Sequence, residues 1–427
     1  MNPTGSFTTL EDWLPWLESL SPREIVLGLE RVHEVLQRLA LPRPERVIHV
    51  AGTNGKGSSV AMLEALLRVD GAVTGCYTSP HVLRYNERIR IDGRPASDAR
   101  ILQAFVAVEA ARGEVPLTYF EFGTLAALVA FAAAGIDALI LEVGMGGRLD
   151  AVNAVEPDAS LITNISLDHC AWLGTDRESI AIEKAGIMRA STPVVFGSTD
   201  VPAAIGACAS EIGADLLLAG TDFDYALNTP ADGTWSWRGQ HVQLETLQRP
   251  ALAGDIQLQN AAAVLALAEA MGLQRLLTPA VIDKAFAALD LPGRFQFVDK
   301  RRKWLLDVAH NADAARVLAE SLAGLSVAGK ITAVIGMQAD KDVQGIVAPL
   351  SGLVDSWIAI TVAGLRGEPA ATLARDIANQ CNKPCLIADD LSQAMQIADS
   401  RAGKDDLVLV TGSFFVVGPA LEWLQKE

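Results

Sequence analysis

Basic charge is scarce in this 427-residue chain, where 35 lysines and arginines stand against 51 acidic residues for a formal net charge of -16. Tracking a nucleic-acid backbone needs a lysine- and arginine-rich surface, so the balance excludes a nucleic-acid partner. A small anion held by a local cluster of donors remains compatible with it. Cysteine is sparse too. Its five positions, Cys76, Cys170, Cys208, Cys381 and Cys385, are odd in number and widely scattered. That excludes a disulfide framework and points to reduced thiols in the cytoplasm. The opening residues, MNPTGSFTTLEDWLPWL, contain no basic segment running into an apolar one, so no signal peptide is read. Long apolar runs are missing as well: FGTLAALVAFAAAGI is stopped by Asp137, short of the roughly 20 residues a membrane span requires. A buried helix is expected there, and no membrane partner. Internal repeats and low-complexity tracts are absent.

What is present is hydrophobic material, 50% of the residues, in a chain longer than the roughly 250 to 300 residues at which single cores stop growing. Apolar β-rich runs alternate with helical patterns, which predicts an α/β fold of parallel strands joined by crossover helices. RVIHVAG, DALILEVG and ASLITNI read as buried strands, and SSVAMLEALLRVDG as a helix closed by Gly71. Between Asp200 and Pro250 the character changes, with DYALN, TWSWRG and HVQLETL resembling short antiparallel strands. The helix NAAAVLALAEAMG is followed by LDLPGRFQFVDKRRKW, rich in turn residues and basic charge, and the domain boundary is expected there, between Pro292 and Lys300. WLLDVAHN, ITAVIGM, DSWIAITVA and DLVLVTGS then read as strands of a second α/β unit. The expected domains are residues 1–295 and 296–427.

HVAGTNGKGSS, His49 to Ser59, joins an apolar strand to a helix. A phosphate group suits that place, because helix N-terminal N–H groups and the helix dipole face it. Gly52, Gly55 and Gly57 would let the backbone approach the phosphates and Lys56 would reach the β and γ oxygens. The usual pattern, G-x-x-x-x-G-K-[ST], puts a magnesium-binding hydroxyl directly after the lysine, but here that residue is Gly57. Glu142 ends an apolar strand, where an acid is costly unless a cation such as magnesium, or nearby Arg148, meets it. His169, beside Asp168, reads as structural or as a metal ligand. Ser79, in YTSPH, reads as a turn residue or as the missing hydroxyl. Lys184, in IAIEKAGIM, follows Glu183 on a helix, which by itself suggests a solvated face. Asp307 and His310, in LLDVAHNADAA, lie where a strand gives way to a helix capped by Asn311 or Asp313, a position at which open α/β sheets bind ligands. CNKPC lacks a second cysteine pair for a metal and the acid of a guanine-reading N-K-x-D.

Taken together, HVAGTNGKGSS, YTSPHVLRYNERI, LTYFEFGTLAAL, LEVGMGGRLDAVN, SLDHCAWLG, IAIEKAGIM, LPGRFQ, DVAHN and VTGSFFVVG resemble, in order, the motifs of the folylpolyglutamate synthases of the Mur ligase superfamily. Among these they are most similar to the bifunctional bacterial dihydrofolate synthase/folylpolyglutamate synthases. The resemblance thins only between Asp200 and Pro250. It implies a P-loop-containing Mur-ligase-like domain followed by a smaller Rossmann-like α/β domain. It also implies that Gly52, Thr53, Asn54, Gly55, Lys56, Gly57 and Ser58 hold ATP, helped by Asn260, Arg294 and Asp307. Ser79, Glu142 and His169 become magnesium ligands, and Lys184 a carbamate beside a second magnesium ion. Thr118, Tyr119, Phe120 and Glu121, with Leu149, Asp150 and Ala151, line a pterin site. Leu27, Gly28 and Leu29, in IVLGLERV, resemble another piece of it, although REIV departs from the acidic residue often found there. His310 and Ser413 place glutamate.

The reaction so implied is ATP-dependent: a carboxylate of 7,8-dihydropteroate or of a reduced folate attacks the γ-phosphate, and the amine of L-glutamate displaces phosphate from the acyl phosphate. Asp307 and His310 would complete the site on domain closure, which also excludes water. The expected assembly is a monomer. A synthase acting on folates alone is the nearest alternative. Another Mur-type amino-acid ligase would carry threonine or serine after Lys56 and an additional N-terminal domain, for which the roughly fifty residues before the loop leave no room. A P-loop regulatory ATPase would need a switch region and a base-reading motif.

Overall fold

The computed structural model describes residues 7–21, 26–228, 233–362 and 367–426. Two compact units divide the chain: Met1–His81, Tyr85–Ala251 and Gln257–Leu289 form one, and Val82–Arg84, Leu252–Ile256 and Asp290–Glu427 the other.

The first unit opens with α1 (Leu10–Ser19), started by a capping box between Thr9 and Asp12, and α2 (Glu30–Leu39). There follow β1 (Arg46–Ala51), α3 (Lys56–Val69), β2 (Thr74–Tyr77), β3 (Ile89–Ile91) and β4 (Arg94–Pro95). Next come α4 (Asp98–Arg112), α5 (Tyr119–Ala134), β5 (Ala138–Glu142), β6 (Ala159–Ile162), α6 (Cys170–Leu173) and α7 (Arg177–Ala185). β7 (Pro193–Phe196), α8 (Ala203–Ile212) and β8 (Asp215–Leu218) complete a sheet ordered β4-β3-β2-β5-β1-β6-β7-β8. From β2 to β8 the neighbours run parallel, while β3 and β4 are added antiparallel at one edge. Strands β5 and β6 are buried throughout, as expected for parallel strands covered on both faces. β1 lies between β5 and β6: the chain first passes from β1 to β2 on one side and later from β5 across β1 to β6 on the other, a reversal of the kind at which open sheets bind ligands outside the carboxyl ends of their strands.

The apolar run FGTLAALVAFAAAGI forms most of α5, which is buried from Glu121 to Leu128 and again at Ala130 and Phe131. Among the described residues no helix is long and apolar enough to cross a membrane. The Asp200–Pro250 region contains β9 (Asp224–Leu227), β10 (Thr234–Arg238) and β11 (Gln243–Gln248), an antiparallel sheet as its alternation predicts. It is tied to α9 (Ile256–Ala270) by Trp237, whose indole N–H donates to the Ala262 carbonyl at 3.1 Å. The buried Glu269 carboxylate holds it too, accepting the N–H groups of Gln240, His241 and Val242. α10 (Pro279–Ala287) ends the unit.

The second unit contains β12 (Gln296–Asp299), β13 (Lys303–Leu306), α11 (Ala312–Ala323), β14 (Ile331–Ile335) and α12 (Val343–Leu350). β15 (Ser356–Ala359), α13 (Ala370–Cys381), β16 (Cys385–Ile387), α14 (Leu391–Arg401), β17 (Leu407–Thr411) and α15 (Phe414–Lys426) follow. Its sheet is ordered β12-β13-β17-β14-β15-β16, parallel except for β12. Period-two alternation sorts β17 between two cores: Leu407 and Leu409 join one, with α11 to α13, and Val408 and Val410 the other, with α14 and α15. The basic stretch FQFVDKRRKW, read as a boundary segment, also makes the antiparallel hairpin of β12 and β13. β13 is the strand read from WLLDVAHN; β12 went unread because its alternation is short and the turn after it carries three cations, Lys300, Arg301 and Arg302. DSWIAITVA ends at Ala363, outside the described residues, and its strand is β15. Cys381 and Cys385 in CNKPC are free thiols, and Asn382 ends α13 in the left-handed conformation.

Candidate active site

Between β1 and α3 the chain turns through Gly52 and Gly55, both with positive φ, 142° and 83°. A Cβ on Gly52 would lie 1.8 Å from Thr163 Oγ1, and one on Gly55 2.5 Å from Asn260 Oδ1. Conformation and room both demand glycine, and Asn260 is thereby packed against the loop. The backbone is stitched to the segment after β6. Thr53 N–H donates to the Asn164 carbonyl at 3.0 Å, Asn54 N–H to Asn164 Oδ1 at 2.9 Å, and Ser166 N–H to Thr53 Oγ1 at 3.0 Å. α3 starts at Lys56 itself, so its N-terminal N–H groups, through Gly57 and Ser58, point at the loop.

Two lysines meet at one carbonyl. Lys56 Nζ donates to the oxygens of Gly52 and Thr53 at 3.2 and 3.1 Å, and Lys184 Nζ, from α7, donates to the same Gly52 oxygen at 2.9 Å. Lys184 is only 5% exposed. The solvated-face alternative is therefore wrong: adjacent helical residues do not share a face, and Glu183 turns to Arg148, with Oε1 2.7 Å from Nη2. Burial, reinforced by the Lys56 ammonium, pushes the Lys184 amine down to about 7, with Asp168 and Asp150 acting the other way.

Glu142 ends β5 at 5% exposure, and its Oε2 accepts the Ser79 N–H at 3.3 Å. Arg148, the alternative partner for this carboxylate, makes its ion pair with Glu183 instead. His169 is the N-cap of α6 with φ 52°, shortly after the stitched Ser166. Its ring is 40% exposed and lies 4.0 Å from Asp168 Oδ2. Among the described residues no three His, Cys, Asp or Glu side chains are gathered as a metal cage. The oxygen donors of Glu142 and Ser79 nevertheless suit a hard divalent cation, which favours oxygen over nitrogen ligands.

Thr118 caps α5, sharing a capping box with the buried Glu121. Glu121 Oε1 lies 2.6 Å from Arg31 Nη2, and the same nitrogen donates to the Val26 carbonyl at 2.7 Å. Arg31 so joins the segment carrying Leu27, Gly28 and Leu29 to Thr118–Glu121. Sequence reasoning missed it, although it directly follows LGLE. Arg23, Glu24 and Ile25 of REIV lie outside the described residues. Tyr119 and Phe120 belong to an aromatic cluster that was also missed: Tyr77 is 5.8 Å from Phe120, Tyr85 6.2 Å from Tyr119, and the Arg88 guanidinium 5.5 Å from the Tyr119 ring. Asp150, between half-buried Leu149 and buried Ala151, turns into its own loop and accepts the N–H groups of Met145 and Val152 at 2.8 and 3.1 Å. Burial pushes its carboxyl up to about 6, against those N–H groups and Lys56.

In the second unit Asp307 follows β13 and accepts the N–H groups of Phe295 and Ala309, each at 2.8 Å. It pins the turn displaying Arg294, in which Phe295 has φ 47°. Burial pushes its carboxyl upward, against those N–H groups, Arg294 and His310. His310 Nδ1 is 2.9 Å from the Val308 carbonyl. A carbonyl only accepts, so Nδ1 carries hydrogen. Ser413 is buried and its hydroxyl accepts the Phe415 N–H at 3.2 Å, opening α15. Arg294 lies over the ring of Phe414, a residue the sequence did not single out.

Comparison with known proteins places these residues in a lineage. Residues 50–268 match the family described as Mur ligase middle domain, and residues 293–414 the Mur ligase, glutamate ligase domain. The dihydrofolate synthase/folylpolyglutamate synthase of Escherichia coli (strain K12) is 41% identical over 414 residues, spanning 97% of this chain and 95% of the relative. A solved structure of E. coli FolC in complex with DHPP and ADP is similar with a TM-score of 0.92 and 41% identity, covering 98% of both chains. A bifunctional folylpolyglutamate synthase/dihydrofolate synthase with Mn, AMPPNP and L-glutamate bound is similar with a TM-score of 0.91 and 42% identity over 100% of both chains. The chain belongs to the dihydrofolate synthase/folylpolyglutamate synthase family of Mur ligases.

Proposed function

We propose that this protein is an ATP-dependent ligase that joins L-glutamate to 7,8-dihydropteroate and to reduced folylpolyglutamates. The observation that carries the reading is the meeting of Lys56 and the buried Lys184 at the Gly52 carbonyl, inside a loop shaped for phosphate. Gly52 to Ser58 cradle the ATP phosphates, and Asn260, Arg294 and Asp307 meet the nucleotide. An oxygen of the acceptor carboxylate attacks the γ-phosphorus, ADP leaves, and Lys56 spreads the negative charge that builds during transfer. The glutamate amine, positioned by His310 and Ser413, adds to the acyl carbon and loses its proton. Collapse of the tetrahedral intermediate breaks the carbon–oxygen bond and releases phosphate. Neither step requires a protein nucleophile.

Ser79, Glu142 and His169 would hold magnesium, which when bound neutralises phosphate charge. A second magnesium ion would need an anionic oxygen ligand of its own. Lys184 can supply it. A neutral amine adds to carbon dioxide and releases a proton, turning a cation into a carbamate with two oxygens. With its amine pushed down to about 7, Lys184 is neutral near physiological pH far more often than an ordinary lysine at roughly 10.4. It would serve a second magnesium ion. Leu27, Gly28 and Leu29, Thr118 to Glu121, and Leu149 to Ala151 flank the pterin, with Arg31 tying two of these segments together. All five cysteines are free thiols, which supports a cytoplasmic setting; a monomer suffices for the reaction.

ATP-dependent incorporation of labelled glutamate, comparing 7,8-dihydropteroate with a reduced folate as acceptor, tests the proposal. Incorporation into both is expected. Incorporation only into the folate would leave a folylpolyglutamate synthase, and ATP hydrolysis independent of either acceptor would contradict ligation.

A further inference from the structure

Phe414 opens α15 directly after Ser413, half-buried against the core formed by α14 and α15. Its ring makes two contacts. The Arg294 guanidinium carbon lies 5.0 Å from the ring centroid, within cation–π range. The His310 imidazole centroid lies 5.8 Å away at an interplanar angle of 60°. Each partner is also fixed from its other side. Asp307 holds the turn that displays Arg294, and the Val308 carbonyl takes the Nδ1 hydrogen of His310. Two groups from separate parts of the chain thus meet at one aromatic ring.

We propose that Phe414 is a positioning residue serving nucleotide and glutamate binding together, through Arg294 and His310. The inference rests on the ligand roles proposed above for those two residues. A leucine would keep the site apolar but offer no quadrupole to the guanidinium and no face to the imidazole, so Arg294 and His310 would sample wrong rotamers. Tyrosine would keep the face.

The test measures ADP affinity by calorimetry, and KM for ATP, glutamate and dihydropteroate, in the full-length wild type and in Phe414→Leu and Phe414→Tyr. In Phe414→Leu the ADP Kd and the KM values for ATP and glutamate are expected to rise roughly 2- to 30-fold, the span of one cation–π contact, with KM for dihydropteroate unchanged. Phe414→Tyr should stay close to wild type. In an Arg294→Ala background Phe414→Leu should weaken ADP no further, because the contact is already gone. Unchanged ADP and glutamate constants in Phe414→Leu would overturn the proposal. So would equal impairment in Leu and Tyr variants with a lowered Tm and all three KM values raised, which marks a structural role. A wild type that binds ADP but transfers no glutamate would contradict the ligase reading, while the ADP arm would still decide the role of Phe414.

Discussion

At the scale of single residues, the account rests on two lysines sharing a carbonyl. Lys56→Ala is expected to lose turnover by about 10²-fold or more with an unchanged Tm, because it removes charge needed chiefly in the transition state. Near-normal turnover in a folded variant would show that phosphate binds elsewhere. Lys184→Ala should fall comparably and recover in part when formate or acetate is added, since a small carboxylate can replace the carbamate oxygens. A fully active alanine variant, or mass spectrometry and carbon-13 NMR of the native protein under bicarbonate that find no carbamate, would count against modification. The loop itself was legible because its glycines and lysine are adjacent in sequence. The burial of Lys184 was not legible from its own helix, because the carbonyl it reaches belongs to Gly52, 132 positions away. Arg31 and Glu121 illustrate the same limit, their ion pair spanning 90 positions.

Among the elements, β1 carries a second device. His49 lies in the middle of this strand with no exposed surface, and neither ring nitrogen has a hydrogen-bond partner. Burial pushes its imidazole down from 6.5 to about 3. The unfolded chain therefore binds this proton more readily than the folded one, so the histidine's contribution to stability falls as pH drops from 6.5 towards 3. Asp150 has the opposite sign, because a carboxyl raised from 3.8 to about 6 binds its proton better when folded. The two oppose each other between those values, so wild-type stability alone would hide both. His49→Leu separates them: its stability relative to wild type should grow by about 1.4 kcal/mol per pH unit below 6.5. Denaturant curves at several pH values that shift in parallel for the two proteins would contradict this. The apolar run RVIHVAG made β1 readable as a buried strand, whereas β12 was masked by the charges of the turn that follows it. Local pattern reveals an element when burial dictates composition and conceals it when solvent does.

For the molecule as a whole, the alternation of strands and helices carried the α/β class, and ordered motifs carried the family. The passage of Val82–Arg84 and Leu252–Ile256 into the second unit left no mark in composition, since a few residues contribute to a core only through their partners. Use of dihydropteroate as well as folates is expected at this scale; glutamylation of reduced folates with none of dihydropteroate would remove one of the two activities. The central claim, that ATP energy passes through an acyl phosphate on the acceptor, is tested most directly with dihydropteroate labelled with oxygen-18 in its carboxylate. Attack on the γ-phosphate followed by displacement with glutamate must carry one labelled oxygen into each phosphate released, and leave the other in the new amide. Phosphate containing one oxygen-18 per amide formed is the predicted result. Unlabelled phosphate, with both labelled oxygens accounted for elsewhere, would contradict the mechanism.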